Sequence, residues 1–324
     1  MSLTLRRLNS TLSPSISTTA STIAASFLST LETRPPLIRS QFLDANQLQR
    51  LGATLPYPSI SDTAQKNTPI PPCHHLVYFT PSDKEDELGR DGSDRVFNPP
   101  EPFTRRMWAG GELEWVGGNA LYVGQEVEEK TVVKNVEAKV TKGGEEMLVV
   151  GVEKRFENGK GLALVDRRNW IFRREISPNS RPPLPSPPQS MSVISTAPYE
   201  RDITHTPISL FRFSGLTFNA HKIHYNREWC REVEGHRDCV VHGPLNLIHM
   251  VDFWRDVMSQ KSGKGCEGDG DVLLPKRVTY RATSPLYVGE TYRILMDEEN
   301  RGVSEMRIMD KFGIVGMKGS IERF

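Results

Sequence analysis

The chain lacks an excess of either charge: Lys and Arg total 41 against 40 for Asp and Glu, a formal net charge of +1. No basic tail or run stands out, so nucleic acid is not an expected partner. Cysteine is scarce, limited to Cys73, Cys230, Cys239 and Cys266, and no CxxC pair occurs. Free thiols of a reducing compartment are expected rather than a disulfide framework. Cys230, His236, Cys239 and His242 are loosely spaced for structural zinc, which favours tighter pairs on a turn, so no metal is expected. No apolar stretch approaches the ~20 residues of a bilayer span, and no integral membrane segment is expected. Acidic residues are missing before Glu32, while Arg6 and Arg7 stand among Ser and Thr. Leu3, Leu5, Leu8 and Leu12 add an intermittent apolar face. Such an Arg-rich, Ser-rich, acid-poor stretch describes an organelle transit peptide. Residues 1–36 are therefore expected to lie outside the fold, as a mitochondrial transit peptide or a disordered end, with the matrix as destination.

A second break in composition falls at residues 176–189, which carry Pro178, Pro182, Pro183, Pro185, Pro187 and Pro188. Proline removes amide donors and favours extended polyproline II, so residues 177–190 read as a semi-rigid linker. It separates two parts of domain size, 37–176 and 191–324. The parts share a string: Leu121-Tyr122-Val123-Gly124 recurs as Leu286-Tyr287-Val288-Gly289, each followed by a polar residue and an alternating segment. A duplicated unit is the expectation.

Antiparallel sheet follows each repeat. Residues 147–155, 161–165 and 170–173 read as strands, with Asn158-Gly159 as a turn. Residues 292–297, 303–310 and 314–322 do the same in the second half. One segment reads as a substantial buried helix, from Gly243-Pro244 to about Met258, because proline suits the first helical position and the apolar residues cover most of its circumference. Residues 259–271 read as a solvated loop. One central helix followed by antiparallel strands is an α+β pattern of the hot-dog kind.

The stretch Phe213-Ser214-Gly215-Leu216-Thr217-Phe218-Asn219-Ala220-His221-Lys222-Ile223-His224-Tyr225-Asn226 resembles the hydratase motif of the MaoC-like and (R)-specific enoyl-CoA hydratase family. In that motif an acidic residue precedes a histidine by five positions; here the pair is Asn219 and His224. Val240-Val241-His242-Gly243-Pro244-Leu245 is similar to the family's entry to the hot-dog helix. Phe103-Thr104-Arg105-Arg106-Met107-Trp108-Ala109-Gly110-Gly111 resembles a signature of relatives with two fused hot-dog units, among them mitochondrial type 2 3-hydroxyacyl-thioester dehydratases and mesaconyl-CoA hydratase-like proteins. The resemblance covers residues 40–324 and implies a double hot-dog whose first half is degenerate.

It also implies reversible addition of water across a 2,3-double bond conjugated to a thioester. That chemistry needs a group to hold water, a proton carrier active near neutral pH and donors for the thioester oxygen. Asn219, His224 and the N–H of Gly243 at a helix start are the expected catalytic set. An amide orients water but is no carboxylate base, so the division of labour between Asn219 and His224 stays open. His221, His242 and Tyr225 are candidates for the substrate wall, and Arg105 and Arg106 for the phosphates of coenzyme A or a phosphopantetheine carrier. Trp108 and His249 are expected in the core, and Asn226 as the cap of a short helix over residues 227–233. The first half is expected to be catalytically silent and to wall an acyl channel. No cofactor is implied, the partners are acyl-CoA or an acyl carrier protein thioester, and monomer and homodimer are both open. The expected activity is a (3R)-hydroxyacyl-thioester dehydratase of mitochondrial fatty-acid synthesis, with a mesaconyl-type hydratase or a non-catalytic thioester-binding protein as alternatives.

Overall fold

A computed structural model describes residues 19–57, 59–141, 143–177, 197–262 and 272–324. Ten strands form one antiparallel sheet. Those of the first half are β1 (Leu37–Phe42), β2 (Arg105–Trp115), β3 (Glu126–Val140), β4 (Glu146–Asn158) and β5 (Gly161–Arg173). The second half supplies β6 (Tyr199–Thr204), β7 (Pro275–Ala282), β8 (Thr291–Met296), β9 (Val303–Met309) and β10 (Val315–Arg323). Their order is β1-β3-β4-β5-β2-β7-β10-β9-β8-β6, so adding five to each strand number of the first half generates the second. β2 and β7 pair at the centre, from Gly110 opposite Arg281 to Glu114 opposite Arg277. A Cβ on Gly110 would sit 2.6 Å from the Tyr280 carbonyl oxygen, and one on Gly111 2.1 Å from that of Arg167. Gly110 keeps this seam closed, and Gly111 lets β2 lie close against β5.

The repeated string accounts for the symmetry in hydrogen bonds. Gly124 (φ +94) donates to the Leu43 carbonyl, and Gly289 (φ +75) donates to that of His205, both at 2.8 Å. Ile70 donates to Leu121 and Val241 to Leu286, again both at 2.8 Å. α2 (Ala45–Gly52) and α3 (Pro207–Leu216) occupy matching places after β1 and β6. Past Ile70 and Val241 the halves part. The second continues into the 19-residue helix α4 (Gly243–Lys261), while the first makes only a 3-10 turn, His74–Val77. The duplication is a double hot-dog in which the first central helix has shrunk to one turn.

Leu245, Leu247, Ile248, Met250, Val251 and Trp254 of α4 are all fully buried, and one apolar cluster joins them to Leu48, Val77, Phe156 and Leu164 of the first half. At ~1.5–3 kcal/mol for each large side chain buried, this shared core is what holds the halves together. His249 is buried beside His205, as expected of a core residue.

Three expectations need correction. Part of the segment set outside the fold is structured: α1 (Ala20–Glu32) is capped by Thr19 and buries Ala20, Ile23, Ala24, Phe27 and Leu31 against Leu148, Val150 and Phe172. Its 3.6-residue periodicity supplies an apolar face that covers the far end of the first half-sheet, on the same face as Lys154 and Phe156. Residues 1–18 lie outside the described residues, as do 178–190 of the expected linker. Next, residues 161–165 and 170–173 belong to a single strand, β5, because the polar residues between them find partners: Arg167 pairs with Glu112 and Glu153, and Arg168 with Asp166. Finally, α4 runs to Lys261 rather than Met258, and residues 263–271 lie outside the described residues.

Candidate active site

Local hydrogen bonds shape the motif loop after α3. Phe218 adopts a left-handed conformation (φ +47), which turns the chain so that Asn219 donates its N–H to the Ser214 carbonyl at 2.8 Å. The Asn219 side-chain oxygen then accepts the His221 N–H at 3.1 Å. A 3-10 turn, Lys222–His224, follows. Nδ1 of His224 lies 2.8 Å from the Val240 carbonyl oxygen. A carbonyl only accepts, so Nδ1 carries the hydrogen and Nε2 is left as the basic nitrogen. The His224 ring stacks on His242 with centroids 3.6 Å apart. Burial, and then the proximity of His221, lower the His224 imidazole to about 3, so the ring is neutral near pH 7.

Asn219, His221, His224, His242 and Gly243 all line one cavity of about 410 Å³ between the two halves. Five expected site residues therefore converge. Gly243 opens α4, where first-turn N–H groups have no helical acceptor. A Cβ there would meet the Trp108 ring at 2.8 Å, so glycine is required for the helix start to seat against that wall. His242 is held through Nε2 by the Ser214 hydroxyl at 2.9 Å. Arg106 also lines the cavity, paired with Asp94 at 2.5 Å. Two candidates fall elsewhere. The exposed Tyr225 donates its hydroxyl to the Ala220 carbonyl and does not line the cavity, because the 3-10 turn directs it outward. Arg105 points to the opposite face of β2 from Arg106, pairs with Glu234, and lines a second cavity of about 540 Å³ with Arg34, Arg90 and Arg95. Asn226 caps the following turn by accepting the Trp229 N–H at 2.8 Å, but that turn, Trp229–Val233, is a π-helix.

Several wall residues were not singled out from the sequence. The first half contributes Leu76, Tyr78, Phe79, Phe97, Phe156 and Trp170, in the region vacated by its shortened helix. Beside them stand Arg39, His75, Glu129, Lys154 and Arg168. Lys154 pairs with Glu129 at 2.9 Å with both side chains buried, and Arg168 pairs with the buried Asp166. Burial lowers the Lys154 ammonium, a push that Glu129 opposes. Trp108 is wall as well as packing: it stacks on Tyr280, and its indole N–H is buried without a hydrogen-bond partner among the described residues. In a strand only the register decides which side chains face a cavity, so Arg39, Glu129, Lys154, Phe156, Arg168 and Trp170 carry no local signal. Among the described residues no cluster of His, Cys, Asp or Glu is arranged to hold a metal ion, and no helix is long and apolar enough to cross a membrane.

Residues 73–288 match the model of a family described as hydroxyacyl-thioester dehydratase type 2. A protein of Chloroflexus aurantiacus named mesaconyl-C(4)-CoA hydratase is 34% identical over 206 residues, 63% of this chain and 70% of that protein. A protein of Schizosaccharomyces pombe named mitochondrial hydroxyacyl-thioester dehydratase type 2 is 27% identical over 290 residues, covering 81% of this chain and 90% of its own length. In fold, the chain is similar to a MaoC-like dehydratase of Phytophthora capsici, with a TM-score of 0.64 at 15% identity over 92% of this chain and 98% of that one. The model match spans the second half from the motif loop through α4 and reaches back to the shortened turn of the first. The chain belongs to the hydroxyacyl-thioester dehydratase type 2 family.

Proposed function

We propose that the chain interconverts a (3R)-hydroxyacyl thioester and its trans-2-enoyl thioester. The observation that carries this reading is the pairing, in one cavity, of a histidine with its basic nitrogen fixed and the start of a buried helix. With the thioester oxygen at the N–H of Gly243, negative charge developing there meets a backbone donor and the positive end of the helix dipole. Nε2 of His224 then takes the C2 proton, and the side-chain amide of Asn219 holds the water that leaves from C3. The aromatic and aliphatic wall of the first half takes the acyl chain. Arg34, Arg90, Arg95 and Arg105 around the second cavity suit the phosphates of coenzyme A or a carrier arm. A mitochondrial setting is supported by the acid-poor first residues and by the names of the two yeast relatives. The test is hydration of trans-2-enoyl-CoA by the purified full chain, with the product resolved by chiral separation. A (3R) product is expected; absence of turnover on short, medium and dicarboxylic substrates would leave a thioester-binding protein instead.

One observation favours a second reading of the substrate. A wall for an alkyl chain has no use for charge, yet Arg39, Arg106, Lys154, Arg168 and Arg173 line this cavity against only Asp94 and Glu129. Arg39 donates to the Phe79 carbonyl at 3.2 Å and makes no direct ion pair among the described residues, its charge acting on Asp94 from further off. This suits an acyl group ending in a carboxylate, as in a mesaconyl thioester. A charge-assisted contact contributes ~1.5–3 kcal/mol. Arg39→Gln is therefore expected to lower kcat/KM for such a substrate by about 10- to 100-fold while leaving crotonyl-CoA within about twofold. Equal loss on both substrates would argue against a carboxylate at Arg39.

A further inference from the structure

In dehydration the C2–H and C3–O bonds break, C2=C3 forms, and the proton taken from C2 has to reach the departing hydroxyl, a path that two adjacent carriers can span. His224 is one carrier. Asn219, standing where the family pattern has a carboxylic acid, cannot be the other, because an amide neither gains nor loses a proton near neutral pH.

A carboxylate does reach this place, from the half expected to be catalytically silent. The Asp91 side chain lies 3.3 Å from Nε2 of His221, and both are largely buried. The approach is built by backbone docking. Lys222 donates its N–H to the Asp91 carbonyl at 2.8 Å, and its ammonium donates to the Arg90 carbonyl at 2.6 Å. Gly92 (φ +81) comes so close that a Cβ would sit 2.1 Å from the Ala220 carbonyl oxygen. Asp91 is itself oriented: its Oδ1 accepts the N–H of Ser93 at 3.0 Å and the hydroxyl of Ser93 at 2.8 Å, leaving Oδ2 toward His221. The His221 ring meets the His224 ring edge to face at 5.5 Å, and both line the cavity.

Resting on the thioester dehydratase reading, we propose that His221, paired with Asp91 of the first half, is the second proton-transfer residue, taking over the work of the missing acid at position 219. Asp91 is the positioning residue. Both rings rest neutral: His224 takes the C2 proton and passes it to Nδ1 of His221, and the Asp91 carboxylate, facing the Nε2–H, stabilises the imidazolium so formed until it gives that proton to the departing hydroxyl. Water leaves carrying the proton taken from C2, and both rings are neutral again. Hydration runs the same steps in reverse.

The charges around His221 make the carboxylate necessary. Burial and then the Arg106 guanidinium lower its imidazole to about 3, with His236 and Arg105 adding to that push and Asp94 opposing it. His224, itself in the cavity wall, is the other titratable ring against it. A carboxylate at 3.3 Å is the direct counter-charge for a protonated His221.

The test is a rescue. Asp91→Asn keeps an oxygen for the Ser93 contacts and removes the charge. In the full chain it is expected to lower kcat by about 10- to 100-fold, within the range for loss of one acid–base partner. Adding Asn219→Asp to Asp91→Asn restores a carboxylate on the same loop and is expected to recover most of the lost rate. His221→Gln should lose as much as Asp91→Asn and gain nothing from Asp91. Unchanged kcat in Asp91→Asn would overturn the proposal. So would a loss that Asn219→Asp does not recover although circular dichroism shows both variants folded, which would make Asp91 a loop-holding residue only. A wild-type chain without turnover would instead refute the dehydratase reading itself.

Discussion

His224→Asn is expected to lower kcat about 10³-fold while leaving the fold intact. The asparagine amide still reaches toward the Val240 carbonyl, so the hydrogen bond that seats the ring has a substitute. What disappears is the basic nitrogen. Loss of a positioned acid–base group costs about 10²- to 10⁴-fold, and His224 belongs at the upper part of that range because its tautomer is fixed before substrate arrives. Val240 is fixed in turn: its N–H donates to Ile223 at 2.8 Å, and it bridges to Tyr287 beside the repeated string. The pH dependence gives a second check. A base works when unprotonated, and burial has lowered His224 to about 3. The acid-side fall of kcat/KM should thus lie well below the ~6.5 of a free imidazole. A wild-type acid limb centred near 6.5, or His224→Asn retaining more than about a tenth of the rate, would remove His224 from the proton path.

The motif loop was legible because its contacts are local. Asn219, His221 and His224 lie within six residues, and a tight turn closed by Ser214 and Lys222 brings them to one wall whatever the rest of the chain does. Gly243-Pro244 was legible for a similar reason, since a helix start has its own chemistry. The duplication was visible in four letters, because the Gly124 and Gly289 turns need the same backbone. The charged wall was not. Lys154, Glu129, Arg168 and Asp166 are spread over three strands and meet only through the registers of β3, β4 and β5, where Lys154 faces Asp166 and Glu153 faces Arg167. Asp91 was hidden further still. It lies in an irregular stretch 130 positions before His221, and the two meet only in the folded chain, through the docking of Gly92 on Ala220 and the Lys222 hydrogen bonds to Arg90 and Asp91. Tyr225 shows the opposite error, a residue next to the motif that the turn sends to solvent. α1 was read by composition as an address, while its apolar spacing was enough to cover a sheet.

The seam between the halves supports the last prediction. Asp252 of α4 accepts from Nε2 of His74 in the shortened turn of the first half, with both oxygens at 3.0 Å, and takes Arg255 at 3.1 Å. Nδ1 of His74 meets the Ser61 hydroxyl at 2.8 Å. The string has the order of a hydrolase triad. Ser61 is fully buried and lines neither cavity, so no substrate reaches it, and the string acts as a bridge. Asp252→Ala would leave His74 buried without its anion and Arg255 with only the longer contact to Asp256 at 4.0 Å. Removing one partner of a buried pair costs ~3–5 kcal/mol. Because the sheet and the apolar core run through both halves, that loss should lower the urea midpoint of a single transition and not detach one half. The sign with pH follows from the carboxyl, which His74 and Arg255 hold down at about 2 against burial, below its usual 3.8. A depressed carboxyl stabilises the fold above its unfolded pKa and loses that contribution as pH falls toward its folded one. The contribution is roughly 2 kcal/mol at neutral pH, with about half gone near pH 3. The gap in stability between wild type and Asp252→Ala should accordingly be widest from pH 5 upward and narrow between about pH 4 and pH 2. A gap of the same size at pH 3 and pH 7 would show that Asp252 acts by shape alone; a gap below ~1 kcal/mol at pH 7 would mean that the bridge does not bind the halves together.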